Sequence, residues 1–214
     1  MMSQSNNVPP SIMPAQSVIM QALLLLAAAA AIVVGLMPEV AQARSSSTLA
    51  SKRLMKEFRE VQTSDSYKNG VFTVELVDDN IFKWHVKLYK LDPDSRIHRL
   101  LRESREKGGK DHLLLELRYN DNYPLSPPFV RVVYPHLEGT SMFGYGTICS
   151  ELLSESGWNS AYTIEPLILQ LAATMAEGRL YGFDFNREHT YEQAREHFDK
   201  YFSKHSLWST SDRS

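Results

Sequence analysis

The most informative stretch of the chain runs from Tyr123 to Thr163 and reads YPLSPPFVRVVYPHLEGTSMFGYGTICSELLSESGWNSAYT. Its opening prolines predict a turn that leads into extended backbone, because residues before proline are pushed out of the helical region. Phe129 to Tyr134 is short, apolar and β-branched, which predicts a buried strand. A glycine-rich stretch follows, predicted to be an irregular loop, and it ends at Cys149, the only cysteine in the protein.

Cys149 has two interpretations. A single cysteine is often a small buried hydrophobic residue, but a glycine-rich loop is an unusual place for a core side chain. Ser150 to Leu153 predicts one helical turn directly after the cysteine, and a helix N-terminus near the sulfur would favour the thiolate. The pattern favours a reactive thiol between a strand and a helix.

Four segments have the alternation or the short apolar run that is typical of strands. They are Val71 to Val77, Ile81 to Leu88, His112 to Tyr119 and Phe129 to Tyr134. Their spacing, with Asp78-Asp79-Asn80 as a turn between the first two, predicts an antiparallel meander. Leu91 to Lys110 predicts a charged helical insertion between the second and third strands.

Helices are predicted on both sides of this meander. The first runs from about Thr48 to Gln62 and has an apolar stripe of Ala50, Leu54, Phe58 and Val61. A central apolar helix is predicted from Ile164 to about Glu177, capped by Thr163, and a last amphipathic helix begins near Tyr191. This order indicates an α+β fold: an N-terminal helix, a four-stranded antiparallel meander and C-terminal helices.

Composition restricts the function classes. The length of 214 residues favours one main domain, predicted at residues 47–205 with a polar tail at 206–214. A formal net charge of −2 gives no basic bias toward nucleic acid. One cysteine excludes an internal disulfide and a multi-cysteine zinc site, and the seven histidines are scattered, so no metal site is predicted.

Residues 1–46 are predicted to be a disordered N-terminal segment that contains an apolar run at residues 18–37 and ends in a short polar linker. This run can be a membrane anchor, a cleaved secretory signal ending near Ala41-Gln42-Ala43, or an extension that is neither. No basic residue precedes it, whereas Arg44 and further basic residues follow it. By the positive-inside rule this favours an anchor with the following domain in the cytoplasm.

The motifs from Tyr123 to Thr163 resemble the active-site region of ubiquitin-conjugating enzymes. That family has a Tyr-Pro…Pro-Pro turn, a strand, Gly-x-Ile-Cys and then Trp-Ser-Pro-Ala-x-Thr-Ile. The matching residues here are Tyr123-Pro124, Pro127-Pro128, Gly146-Thr147-Ile148-Cys149 and Trp158 to Ile164. Gly157 to Tyr162, together with Val74 to Asp78, is most similar to the Q-type branch. The resemblance covers roughly Leu49 to Phe202 and implies the ubiquitin-conjugating (UBC) fold.

The resemblance also implies a chemistry. Cys149 would accept activated ubiquitin as a thioester and pass it to a substrate amine, to a ligase cysteine or to a hydroxyl. The implied partners are ubiquitin, the activating enzyme, ubiquitin ligases and a protein substrate. No cofactor is implied, because ATP is used by the upstream activating enzyme.

Docking surfaces follow from the same resemblance. The first helix would bind the activating enzyme through Lys52, Arg53 and Lys56, although an ordinary solvated basic face explains these residues equally well. Two loops would face the ligase, and their residues are Leu125, Pro127, Asn159, Ser160 and Ala161. Trp158 is interpreted as a core residue that holds the second loop, and Leu125 has the alternative of a packed turn residue.

The chain departs from the family at one motif. Most members have His-Pro-Asn with Asn eight residues before the cysteine, where this chain has Ser141. The donor that would stabilise the tetrahedral oxyanion is therefore open between Ser141, His136 and loop N–H groups. His136 can also be a simple surface loop histidine. Asp184, beyond the central helix, is near the family's acidic position but is not aligned with it.

Two other functions compete with the carrier role. One is a non-catalytic module that binds ubiquitin or a ligase on the same fold, although such variants typically lack the cysteine. The other is a membrane-anchored adaptor in which the apolar segment is essential. Deleting residues 1–44 would separate the adaptor from a chain whose activity lies in its folded domain.

Overall fold

The computed structural model describes residues 48–209. Helix α1 occupies residues 48–63, and a one-turn helix α2 (Asp65–Lys68) follows it. The predicted apolar stripe of α1 faces the core: three of its residues are buried, Ala50, Leu54 and Val61. Phe58 is partly buried against the same core. The predicted N-terminal helix is confirmed.

The predicted meander is also present. Its strands are β1 (Phe72–Val77), β2 (Asn80–Leu88), β3 (Leu113–Arg118) and β4 (Phe129–Tyr134). Each strand pairs antiparallel with the next. Asp78 and Asp79, with φ of 54° and 53°, form the two-residue turn between β1 and β2. The predicted helical insertion is α3 (Arg96–Glu106).

The stretch that was predicted to be an irregular loop contains three short strands. They are β5 (His136–Gly139), β6 (Met142–Gly144) and β7 (Thr147–Ile148). β7 lies between β4 and β6, which extends the meander to a sheet of order β1-β2-β3-β4-β7-β6. β5 instead pairs with β8 (Leu180–Asp184), which follows the central helix. Strands of two to four residues show no readable periodicity, so the prediction of an irregular loop was wrong here.

The central helix α4 (Ile164–Glu177) packs against the sheet. Its predicted apolar face is buried, including Leu167, Ile168 and Leu171. The last helix, α5 (Tyr191–Ser209), begins where predicted and continues into the segment predicted as a polar tail. Phe129 of β4 meets α5 through the rings of Tyr191 and Phe198, at centroid distances of 5.6 and 5.3 Å. The predicted α+β fold is confirmed.

The predicted membrane anchor at residues 18–37, like the rest of the N-terminal segment, lies outside the described residues. Among the helices within residues 48–209, none combines the length and the apolar character that a bilayer crossing requires. The anchor, the signal peptide and the plain extension therefore all stay predictions.

Replacing Gly146 by alanine is expected to destabilise the protein more than the same change at Gly70. Both glycines have positive φ, 81° and 64°, but a Cβ at Gly146 would overlap the Val132 carbonyl oxygen, whereas a Cβ at Gly70 has no atom within 4 Å. We expect Gly70→Ala to lower the free energy of unfolding by about 1 kcal/mol, the cost of the left-handed backbone. Gly146→Ala should cost roughly 1–3 kcal/mol more because of the clash.

The measurement is urea denaturation of the full chain for the wild type and both variants. Equal losses of unfolding free energy would contradict the close approach of Gly146 to β4.

Candidate active site

Cys149 follows β7 at the point where the chain leaves the core. Thr147 and Ile148 are buried, with 0% and 1% of their surface exposed, whereas Cys149 is exposed. The Cys149 N–H donates to the Ser141 carbonyl at 2.8 Å, and the Val132 N–H donates to the Gly146 carbonyl at 2.7 Å. Backbone hydrogen bonds on both sides of β7 therefore fix the position of an accessible thiol.

Ser141, eight residues before the cysteine, lies opposite Cys149 in the hairpin that β6 and β7 form. Its hydroxyl donates to the Thr174 carbonyl in the last turn of α4, at 2.9 Å. That carbonyl also accepts the Gly178 N–H at 3.2 Å, so the Ser141 hydroxyl adds a second hydrogen bond that ties the segment before β6 to the end of α4. An oxyanion role would require this hydroxyl to leave Thr174, and that role stays a prediction.

The helical turn predicted after Cys149 is present, but it cannot stabilise a thiolate. It is a three-residue 3₁₀ helix, Glu151–Leu153, and the side chain of Ser150 makes no capping hydrogen bond. Such a turn has almost no aligned dipole to offer an anion. Partial burial instead raises the pKa of the Cys149 thiol. The predicted stabilisation of the thiolate is therefore wrong for the isolated chain.

His136 is neither a surface loop residue nor free to act as a donor. It is buried in β5, its Nε2 lies 3.0 Å from a Glu138 carboxylate oxygen, and its Nδ1 lies 2.7 Å from His189 Nε2. Both ring nitrogens are thus engaged. The cleft beside this histidine pair, of about 350 Å³, is lined by residues of the β5–β8 region and not by Cys149. An oxyanion role for His136 has no support in this geometry.

The predicted activating-enzyme residues lie on α1. Lys52 and Lys56 are exposed, and Lys56 Nζ is 3.6 Å from Glu60. Arg53 is half-buried, because its Nε pairs with Glu57 and its Nη2 donates to the Tyr162 carbonyl at 3.1 Å. Two of the three basic residues are therefore available to a partner, whereas Arg53 is largely used within the fold.

The two predicted ligase loops lie side by side. Trp158 Nε1 donates to the Pro124 carbonyl at 2.7 Å, and Trp158 is itself buried, which confirms its interpretation as a core residue. Leu125 is 81% exposed, so the packed-turn alternative is wrong. Asn159, Ser160 and Ala161 are exposed, and Pro127 is half-buried.

A mainly apolar groove of about 400 Å³ lies next to the turn that follows Cys149. Leu152 from that turn, Ala161 from the second loop and Leu167 of α4 contribute to its walls. Within residues 48–209, no three histidine, cysteine, aspartate or glutamate side chains are grouped so that they could hold a metal ion.

Sequence reasoning missed Glu57, which is 1% exposed. Its position was readable: Ala50, Leu54, Glu57 and Val61 share one helical face, so a carboxylate stands inside an apolar stripe. It also missed His189, the partner of His136, because these two residues are joined only by the tertiary fold.

Comparisons with known proteins identify relatives of this chain. No protein-family model matches the chain. Human ubiquitin-conjugating enzyme E2 Q1 is 49% identical over 137 residues, which is 64% of this chain and 32% of that protein. Ubiquitin-conjugating enzyme E2 25 of Caenorhabditis elegans is 44% identical over 151 residues, 70% of this chain and 39% of that protein. Human ubiquitin-conjugating enzyme E2 Q-like protein 1 is 40% identical over 126 residues, 58% of this chain and 73% of that protein.

The chain belongs to the ubiquitin-conjugating enzyme family. Within that family it falls with the Q-type members, as the identities of 49% and 40% to E2 Q1 and to the Q-like protein show. The chain spans about a third of E2 Q1, 32% of its length. Among solved structures, human ubiquitin-conjugating enzyme E2 G1 aligns at 20% identity with a TM-score of 0.48, over 60% of this chain and 95% of that one. The family assignment rests on the sequence relatives.

The raised pKa of Cys149 predicts a slow thiol at neutral pH. The thiolate is the form that reacts, so a raised pKa moves its appearance to higher pH. We expect the rate of alkylation by iodoacetamide to reach half of its maximum at a higher pH than for a short cysteine peptide. Because Cys149 is the only cysteine, the whole signal reports this one residue. A midpoint at or below that of the peptide would contradict this pKa direction.

Proposed function

We propose that the chain is a ubiquitin carrier in which Cys149 holds ubiquitin as a thioester. The observation that supports this most is the exposed thiol at the end of β7, held by backbone bonds on a fold of the ubiquitin-conjugating family.

The proposed loading step is a thioester exchange. The Cys149 thiolate attacks the carbonyl carbon of ubiquitin's C-terminal glycine, a new C–S bond forms, and the bond to the activating enzyme's cysteine breaks. That cysteine leaves as a thiolate, so the proton count is unchanged. One thioester replaces another, and the chain itself needs no ATP site for this step.

The proposed discharge step consumes the thioester. A substrate amine attacks the same carbonyl carbon, an amide C–N bond forms, and Cys149 leaves as a thiolate while the amine proton passes to solvent. The oxyanion of this step needs a donor. The hydroxyl of Ser141 is bonded to Thr174, so we assign this role to loop N–H groups rather than to a side chain.

The docking surfaces fit the same proposal. The exposed Lys52 and Lys56 of α1 would meet an acidic surface of the activating enzyme. The exposed Leu125 and the adjoining Asn159 to Ala161 would meet a ligase, since removing an exposed apolar side chain from water favours association. The partners are thus ubiquitin, the activating enzyme, a ligase and a protein substrate.

The test is a loading reaction of the full chain with ubiquitin, activating enzyme and ATP, followed by a non-reducing gel. We expect one band shifted by a single ubiquitin, lost on addition of a thiol reductant. Cys149→Ala should give no band. Cys149→Ser should give a band that resists reductant but is cleaved by hydroxide, because an oxyester replaces the thioester.

No band from the folded wild-type chain, alongside a conjugating enzyme that loads in the same tube, would contradict the proposal. The chain would then be treated as the non-catalytic binding module, and ubiquitin binding without a covalent bond would be the next measurement.

A further inference from the structure

Glu57 carries a buried carboxylate on the apolar face of α1. Only 1% of its surface is exposed, so neither oxygen is hydrated as it would be in an exposed side chain. A charge in such a place is tolerated only where donors replace the lost water. Two of the three donors to Glu57 come from distant parts of the chain, which makes this residue more than a local cap.

Three separate segments meet at this carboxylate. Oε1 accepts hydrogen bonds from Arg53 Nε and, at 2.7 Å, from the Tyr123 hydroxyl at the start of the proline turn. Oε2 accepts the Ile164 N–H at 3.0 Å, at the first residue of α4. Thr163, the predicted cap of that helix, makes no side-chain capping bond, so Glu57 supplies the anion there.

The donors hold their protons under all working conditions. Burial, and after it the Glu57 carboxylate, raises the pKa of the Tyr123 hydroxyl, so this group stays a donor. Arg53 also donates to the Tyr162 carbonyl at 3.1 Å, which adds the loop before α4 to the same network. Trp158 Nε1 donates to the Pro124 carbonyl at 2.7 Å, which joins the loop before α4 to the proline turn.

The segments held in this way carry the proposed docking surfaces. α1 presents Lys52 and Lys56, the proline turn presents Leu125, and the loop before α4 presents Asn159 to Ala161. The turn and the loop adjoin α1, through the bonds from Tyr123 to Glu57 and from Arg53 to Tyr162, so a partner bound on α1 also lies next to them. Such a composite surface binds tightly only if its segments are already placed. The shared support for all three is the side chain of Glu57.

We propose that Glu57 is a positioning residue: its carboxylate fixes α1, the proline turn and the start of α4 relative to one another, so that a partner meets a preformed surface. This inference rests on the proposed carrier function. It assigns to Glu57 an effect on docking of the ubiquitin-loaded activating enzyme, and no effect on the thioester once it has formed.

Glu57→Gln tests the proposal in the full chain. The amide keeps the size of the side chain, but its NH₂ group would face either Arg53 and Tyr123 or the Ile164 N–H, so at least one donor would lose its acceptor. The matched control is Glu106→Gln, because Glu106 also pairs with an arginine four residues away, but on the exposed face of α3, where Arg102 Nε lies at 3.9 Å.

A second pair of variants separates one hydrogen bond from the loss of a hydroxyl group. Tyr123→Phe removes the bond to Glu57. Tyr119→Phe removes the hydroxyl of the neighbouring ring, whose centroid lies 4.9 Å away and whose hydroxyl has no hydrogen-bond partner within residues 48–209. Of these two variants, only Tyr123→Phe should loosen the proline turn.

Two readouts are needed. In loading kinetics, Glu57→Gln should raise the KM for the ubiquitin-loaded activating enzyme about tenfold, as expected when a preformed surface is lost. Its kcat, and the rate at which hydroxylamine discharges the thioester, should stay within about twofold of the wild type. In amide hydrogen exchange, residues 120–128 and 159–166 should exchange faster in Glu57→Gln, and only the first of these in Tyr123→Phe. Glu106→Gln and Tyr119→Phe should match the wild type in both readouts.

A wild-type KM with unchanged exchange in Glu57→Gln would overturn the proposal. Faster exchange across all strands, with kcat and hydroxylamine discharge both reduced, would also overturn it, because Glu57 would then support only general stability. A wild-type chain that forms no thioester is a different result: it would contradict the proposed function and with it the docking role. Exchange would then still show whether Glu57 holds the three segments together.

Discussion

The backbone hydrogen bond from the Val132 N–H to the Gly146 carbonyl is the constraint on which the position of the thiol depends. It brings β7 against β4 so closely that only a glycine fits at residue 146. Thr147 and Ile148 are buried in consequence, and the next residue, Cys149, is the first that reaches solvent. An accessible thiol on a rigid backbone thus follows from a buried contact and not from the glycine content of a flexible loop.

Helix α4 connects this thiol to the docking surfaces, because both of its ends are fastened by distant side chains. At its N-terminus the Ile164 N–H is bonded to Glu57 of α1. At its C-terminus the Thr174 carbonyl accepts the hydroxyl of Ser141, whose own carbonyl accepts the Cys149 N–H. An N–H that the helix leaves unpaired at its start, and a carbonyl near its end that accepts a second hydrogen bond, thus join α4 to α1 and to the segment before β6. The raised pKa of the Cys149 thiol indicates that the isolated chain does not itself favour the reactive thiolate.

The local sequence pattern was sufficient to predict the long helices and strands and to single out the cysteine. The meander, the central helix and the burial of Trp158 follow from alternation, apolar stripes and proline turns, and all are present. The local pattern could not predict contacts between residues that are distant in the sequence. These are the pairing of β5 with β8, the His136–His189 pair and the donors that surround Glu57. The thiolate expectation failed for a different reason: the predicted turn is present, but a single 3₁₀ turn has almost no aligned dipole, and burial raises the pKa of the thiol. Glu57 alone among these could have been suspected, as a carboxylate within an apolar stripe.

The central claim is that the sulfur of Cys149 is the acceptor of activated ubiquitin, and a lysine at that position tests it most directly. Cys149→Lys in the full chain, incubated at alkaline pH with ubiquitin, activating enzyme and ATP, should form an amide to ubiquitin's C-terminus that survives reductant. Tryptic mapping by mass spectrometry should place the ubiquitin remnant on residue 149. An adduct mapped only to other lysines, or no adduct where the wild type loads, would contradict the account.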